Sequence, residues 1–229
     1  MNWLSQAFGW LGDPANLDGP SGVWALIGQH LAITGWATLI AVVLGVPLGL
    51  AIGHTGRGRA LVVGLSGAAR ALPAIGLLTM VALLAGIGLI GPLVALVVLA
   101  VPSVIAGAYS GVDSIEPVTR DAARAVGMSP AQVLAHVELP LALAQLLGGI
   151  RAAALQVIAT AILASYVGAG GLGVLLFRGL KTQDYPQMLG GSIVVVALAF
   201  VVDALFEVLT RVASRAVGIT HGVRRSAAA

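Results

Sequence analysis

The chain has 229 residues, of which 59% are hydrophobic and only 9% charged, with a net charge of +3 and no cysteine. A soluble domain carries about 25% charged residues, so this composition excludes a water-soluble globule and points to a polytopic α-helical membrane protein. The missing thiols exclude a disulfide framework, a cysteine-based zinc cluster and a cysteine nucleophile, and the small basic excess reads as a marker of membrane orientation rather than of nucleic-acid binding.

Residues 1–23 hold no Lys or Arg and no continuous apolar run, which excludes a signal peptide. Trp3, Phe8, Trp10 and Leu11 lie among the turn formers Gly12, Asp13, Pro14 and Asn16. This pattern suits either a short interfacial segment with Trp at headgroup depth or an unstructured tail. A spanning helix needs roughly 20 apolar residues, and five stretches meet that standard: 25–52, 61–85, 90–109, 143–167 and 188–210. In the first, Ala41, Gly45, Gly49 and Gly53 form a stripe of small residues that lets a second backbone approach, either within this chain or across a dimer seam. Pro47 and Pro73 are expected to bend their helices.

The connections differ in character. Residues 54–60 are short and polar, Gly86–Gly91 is a tight glycine turn, 113–139 is long and polar, and 168–187 begins glycine-rich. Five spans with an outside N-terminus put Arg57, Arg59, Arg120, Arg124, Arg211, Arg215, Arg224 and Arg225 in the cytoplasm, against only Arg178 and Lys181 outside. That bias obeys the positive-inside rule. Arg70 and Arg151 lie towards inner helix ends, where they can snorkel. Asp203, Glu207 and Arg211 share one helical face and predict an ion-pair ladder at the inner interface.

The most informative stretch is 114–151. Glu116-Pro117 opens a short helix that Gly127 ends. Ser129 caps a second helix, with Pro130 in its first position and Gln132 three residues after the cap. Leu139-Pro140 is expected to end that helix. Val126, Val133, Leu134 and Val137 are expected to form an apolar face, which suits a peg that docks into a soluble partner or a helix that rests on the bilayer.

Asp121-Ala122-Ala123, then Gly127, then Leu139-Pro140 resemble the "EAA" loop of importer-type ABC transporter permeases, with Asp121 in place of Glu. Val167-Gly168-Ala169-Gly170-Gly171-Leu172-Gly173 is similar to the glycine-rich segment of the methionine and osmoprotectant permeases, and Arg70-Ala71-Leu72-Pro73-Ala74 to a pattern on their second helix. Gly-Met-Ser-Pro at 127–130 and Val-Glu-Leu-Pro-Leu-Ala at 137–142 look most like the glycine betaine/carnitine/choline branch.

The resemblance implies a transmembrane unit over 24–212, an extracytoplasmic segment over 1–23 and a cytoplasmic tail over 213–229. It implies coupling to an ATPase through Asp121, Ala122, Ala123, Gly127, Met128, Ser129, Pro130, Val133 and Leu134, with Gly168, Gly170, Gly171 and Gly173 as the glycine-rich segment. The implied partners are two ATPase subunits, a second identical or paralogous permease, an extracytoplasmic binding protein and membrane lipid, in a prokaryotic plasma membrane. ATP and Mg would belong to the ATPase. This chain has no phosphate loop, since Leu180 replaces the Gly required before Lys181-Thr182. An aromatic cage for a quaternary ammonium is also not evident. Of 11 aromatics, five lie at or before residue 36.

Three rival classes are weaker. A secondary transporter needs inverted repeats and midplane ion ligands. A membrane enzyme needs a nucleophile with a base, or a metal cluster, whereas His30, His54, His136 and His221 do not share a face. A pure scaffold has no use for a coupling loop. Within the transporter class, methionine or another small amino-acid-like solute is the alternative substrate.

Overall fold

The computed structural model describes residues 2–86 and 88–216. Ile87 of the glycine turn and the tail residues His221, Arg224 and Arg225 lie outside that set, as does the Arg70 side chain. The described chain is helical throughout: α1 Trp3–Leu11, α2 Pro14–Leu17, α3 Val23–Thr55, α4 Arg59–Ala71, α5 Ala74–Ala85, α6 Ile90–Asp113, α7 Pro117–Ala125, α8 Pro130–Val133, α9 Leu139–Ala164, α10 Gly173–Thr182 and α11 Tyr185–Ala216. A π-helical turn over Leu134–Glu138 joins α8 to α9, and a single 3₁₀ turn, Ser165–Val167, follows α9.

Four stretches among the described residues are long and apolar enough to cross a bilayer: Val23–Thr55, Ile90–Asp113, Pro130–Val167 and Tyr185–Arg215. The stretch expected to form one bent span over 61–85 is instead broken into α4 and α5. The cause is local. Pro73 cannot donate to the ladder, and its ring drives Leu72 away from helical geometry. Pro73 itself is extended, with ψ 110°. Each half is too short to span alone.

α6 sits at the centre, between α3 and α9. The small-residue stripe of α3 packs against it, so the stripe serves this chain's own core. A Cβ added at Gly45, Gly49 or Gly53 would lie 2.9 Å from Val104, 2.6 Å from Ala108 or 2.7 Å from Val112. On another face of α6, a Cβ on Gly107 would lie 2.6 Å from the Gly149 Cα of α9. Without a hydrophobic drive between helices in lipid, such close backbone approach is a main source of cohesion. The buried core runs through Ala37, Ala41, Leu96, Ala100, Val104, Ala153, Val157 and Ala161.

The N-terminal stretch is a helix. α1 leans on the start of α11: Trp3 meets Tyr185 edge-on at 5.2 Å, and Trp10 covers Gly190. Residues 173–182, read from sequence only as part of a connection, form α10.

Candidate functional site

The hairpin over 114–138 is built by two strong local signals. Gly127 takes φ +90°, which closes α7: Met128 N–H donates to Ala123 O at 3.2 Å and Gly127 N–H to Arg124 O at 2.9 Å. These are the paired bonds of a Schellman cap. α8 then opens with a complete capping box. Gln132 N–H donates to Ser129 Oγ at 3.4 Å, and Ser129 N–H to Gln132 Oε1 at 2.8 Å. Pro130 follows in the first turn, where its missing N–H costs nothing.

The helix does not end at Leu139-Pro140, as the dipeptide suggests. The chain runs on from α8 into α9 through the π turn. The wider i→i−5 register of such a turn accommodates a proline that can neither donate nor tolerate the i−4 carbonyl. The apolar face also differs from expectation. Val133 is fully buried and Leu134 and Val137 partly so, but Val126 is 76% exposed, as is Val118 at 66%.

The remaining sequence-derived residues differ in exposure. Ala123 is buried inside the hairpin, while Asp121, Ala122, Ser129 and Pro130 face outward and Met128 is half-buried. Asp121, expected to orient the loop, is 72% exposed, and its ion-pair partner is its own helix neighbour Arg124 at 3.7 Å.

What orders the root of the hairpin is a residue that the sequence reading quoted within Val-Glu-Leu-Pro-Leu-Ala and gave no role of its own. Glu138, in the π turn, is fully buried. Its Oε2 lies 2.6 Å from Nδ1 of His54 at the end of α3, and its Oε1 lies 2.9 Å from Nε of Arg120 on α7. A carboxylate oxygen accepts, so Nδ1 is the donor in this pair. Through Nη2, Arg120 donates to the carbonyl of Val112 on α6. One carboxylate thus gathers four elements. A usable signal was present: a lone acid beside Leu-Pro at the mouth of an apolar helix, with Arg120 in the same connection and His54 at the end of the first span.

The glycine-rich segment sits at the other end of α9. Gly168, Gly170 and Gly171 all take positive φ, between 79° and 90°. Ser165 Oγ–H donates to Gly170 O at 2.6 Å, and Gly171 N–H donates to Gln29 Oε1 at 3.1 Å. The neighbouring His30 is fully buried, its Nε2 3.0 Å from Ile158 O. Gly173 leaves no room for a side chain, since a Cβ there would lie 2.2 Å from Ile162 O. Beside this segment is a groove of about 380 Å³ lined by Thr79, Ala82, Leu83, Ser165, Tyr166, Val167 and Gly168. The Tyr166 ring is largely exposed and lies 5.4 Å from that of Phe177.

A third polar cluster joins α9 to α11. Arg151 grips Asp203 through two bonds of 2.6 and 2.8 Å and reaches Glu207 at 2.6 Å; Arg211 reaches Glu207 at 2.9 Å. The expected ladder within α11 therefore holds only between Glu207 and Arg211. Arg151, expected to snorkel, clamps two helices instead, because its planar fork matches a carboxylate two bonds at a time. Among the described residues, no three metal-ligating side chains converge.

Residues 24–218 match the family described as "Binding-protein-dependent transport system inner membrane component". Among curated relatives, the choline transport system permease protein OpuBB of Bacillus subtilis is 31% identical over 183 residues, covering 80% of this chain and 84% of the relative. OpuBD of the same organism, also a choline transport system permease protein, is 34% identical, covering 82% and 83%. The osmoprotectant import permease protein OsmW of Salmonella typhimurium is 32% identical, covering 83% and 91%. The fold resembles a chain of the inward-facing MetNI methionine ABC transporter, with TM-score 0.73, 23% identity and coverage of 83% and 95%. Membership implies work alongside a binding protein and an ATPase. With its helical bundle, its capped hairpin and a match over most of its length, the chain belongs to the inner-membrane components of binding-protein-dependent ABC importers.

Proposed function

We propose that this chain is the non-catalytic permease of an importer for a quaternary-ammonium osmoprotectant such as choline or glycine betaine. The substrate class rests on the relatives, which are permeases for such solutes. Two permease subunits, two ATPases and one extracytoplasmic binding protein would form the working unit. Residues 24–212 form the transmembrane unit, 1–23 lie outside and 213–229 in the cytoplasm. ATP and Mg act on the ATPase, and high-affinity recognition belongs to the binding protein.

In this reading the hairpin is the coupling element. The observation that carries it is the pairing of a buried root at Glu138 and Val133 with an outward face and tip that expose Val118, Asp121 and Val126. Exposed valines on a polar hairpin suit a socket in a soluble protein, and tight caps at Gly127 and Ser129 let the hairpin transmit force as a unit. Coupling requires the ATPase to contact inward-open and outward-open states with different free energy.

The test uses the absence of native cysteine. Val126→Cys in the assembled complex should cross-link to the ATPase and react with impermeant thiol reagents only from the cytoplasmic side. Labelling from the outer side, or cross-linking to no ATPase, would overturn the reading. Proteoliposomes holding the complex and binding protein should take up choline or glycine betaine only with ATP inside.

A further inference from the structure

Glu138 is an ionisable side chain sealed from solvent at the foot of the hairpin, and the coupling-loop resemblance gives it no role. Burying a carboxylate is costly, and a buried ion pair is weak evidence for stability, because apolar residues of similar volume often serve as well or better. What a charge provides here that an apolar side chain would not is direction. Its two oxygens face two different elements, His54 of α3 at 2.6 Å and Arg120 of α7 at 2.9 Å. Arg120 carries the link on to the Val112 carbonyl near the end of α6. Glu138 itself lies in the π turn through which α8 becomes α9. Such turns are often found at functional sites.

Resting on the transport reading above, we infer that Glu138, with His54 and Arg120, is the positioning hub that makes the hairpin move as one body with α3, α6 and α9. α7 is joined to the spans by the short connection over 114–116, whereas α8 runs on through the π turn into α9. The carboxylate ties α7 to that continuous arm and to α3. A push on α7 is passed by Arg120 to Glu138 and so to α9, and by Glu138 to His54 and so to α3. Without the charge, the ATPase would still engage the exposed tip and complete its cycle, but the spans would follow incompletely. The phenotype is slippage, meaning ATP hydrolysed without solute moved.

Glu138→Gln is nearly isosteric and removes only the charge. In proteoliposomes with the ATPase and binding protein, hydrolysis should stay within about twofold of the unmodified complex while solute moved per ATP falls about tenfold, within the range for mutations in coupling networks. Arg120→Lys, which keeps the cation but not the fork, should fall between the two. An unchanged ratio in Glu138→Gln would overturn the hub, as would equal loss of hydrolysis and transport, which marks a role in assembly or ATPase docking. Should Glu138→Gln fail to assemble, His54→Gln carries the test, because Arg120 still faces the carboxylate. A ratio lowered about threefold supports the hub on the same scale, and an unchanged ratio overturns it. If the unmodified complex shows no ATP-dependent uptake, the transport reading itself fails and takes this inference with it.

Discussion

At one end of α3, Gln29 accepts from the Gly171 N–H of the glycine-rich segment, and His30 bonds the Ile158 carbonyl of α9. At the other end, 24 residues and about 36 Å away, His54 meets a buried carboxylate that Arg120 shares. The first junction is made of positive-φ glycines and close backbone approach, so its geometry admits little variation. The second is made of long side chains converging on one charge, which can hold a fixed arrangement yet rotate as a unit. The contrast suggests a division of labour: a rigid seam at the glycine-rich end and a lever arm at the hairpin end.

Substitutions can break that contrast, and the largest effect belongs to the rigid seam. Gly173→Ala places a methyl against the Ile162 carbonyl, where the obstacle is backbone and cannot yield cheaply. Overpacking of this kind costs about 3 kcal/mol, and thermal unfolding of the detergent-solubilised chain should shift down accordingly. A tolerated alanine would show that the seam flexes. Next comes Arg151→Ala, which leaves Asp203 and Glu207 facing each other without their shared cation. Heat stability should fall, and Arg151→Lys should recover it only in part because an ammonium cannot bind two oxygens in parallel.

Gln29→Leu sharpens the comparison from the neutral side. It deprives Gly171 N–H of its acceptor, at a cost of about 1–2 kcal/mol, and amide exchange near 168–173 should quicken while exchange in the hairpin stays unchanged. The smallest expected effect is at the hairpin. Ser129→Ala removes one half of the capping box, worth about 1 kcal/mol, and should be seen as faster proteolysis near 128–134 with no change at the glycine-rich end. A change that spread from one end to the other in either variant would show the two junctions to be coupled through the static fold rather than by motion.

The hairpin was the part most legible in sequence, because its determinants are local. Gly127, Ser129, Pro130 and Gln132 act within five residues of one another or of the helix end they cap, and the structure places a Schellman cap and a capping box where the residues say they should be. The spans were legible as apolar length. Pro73 was read as a bend and proved to be a break, and Leu139-Pro140 was read as a stop and proved to be a passage, because a proline's effect depends on whether the neighbouring backbone can widen into a π turn. The polar contacts that matter most were not legible. Arg151 and Asp203 are 52 residues apart, and His54 and Glu138 are 84 apart. No periodicity links such pairs.

From sequence alone came membrane residence, the helical class, the capped hairpin and the small-residue stripe, each of which follows from composition or from interactions within one or two helical turns. Tertiary structure alone decided that the stripe packs on α6, that Asp121 faces outward, and that Glu138 draws together four elements. Those outcomes depend on which helices lie side by side. In lipid, that choice rests on the fit of many close contacts at once, which no single segment of the chain encodes.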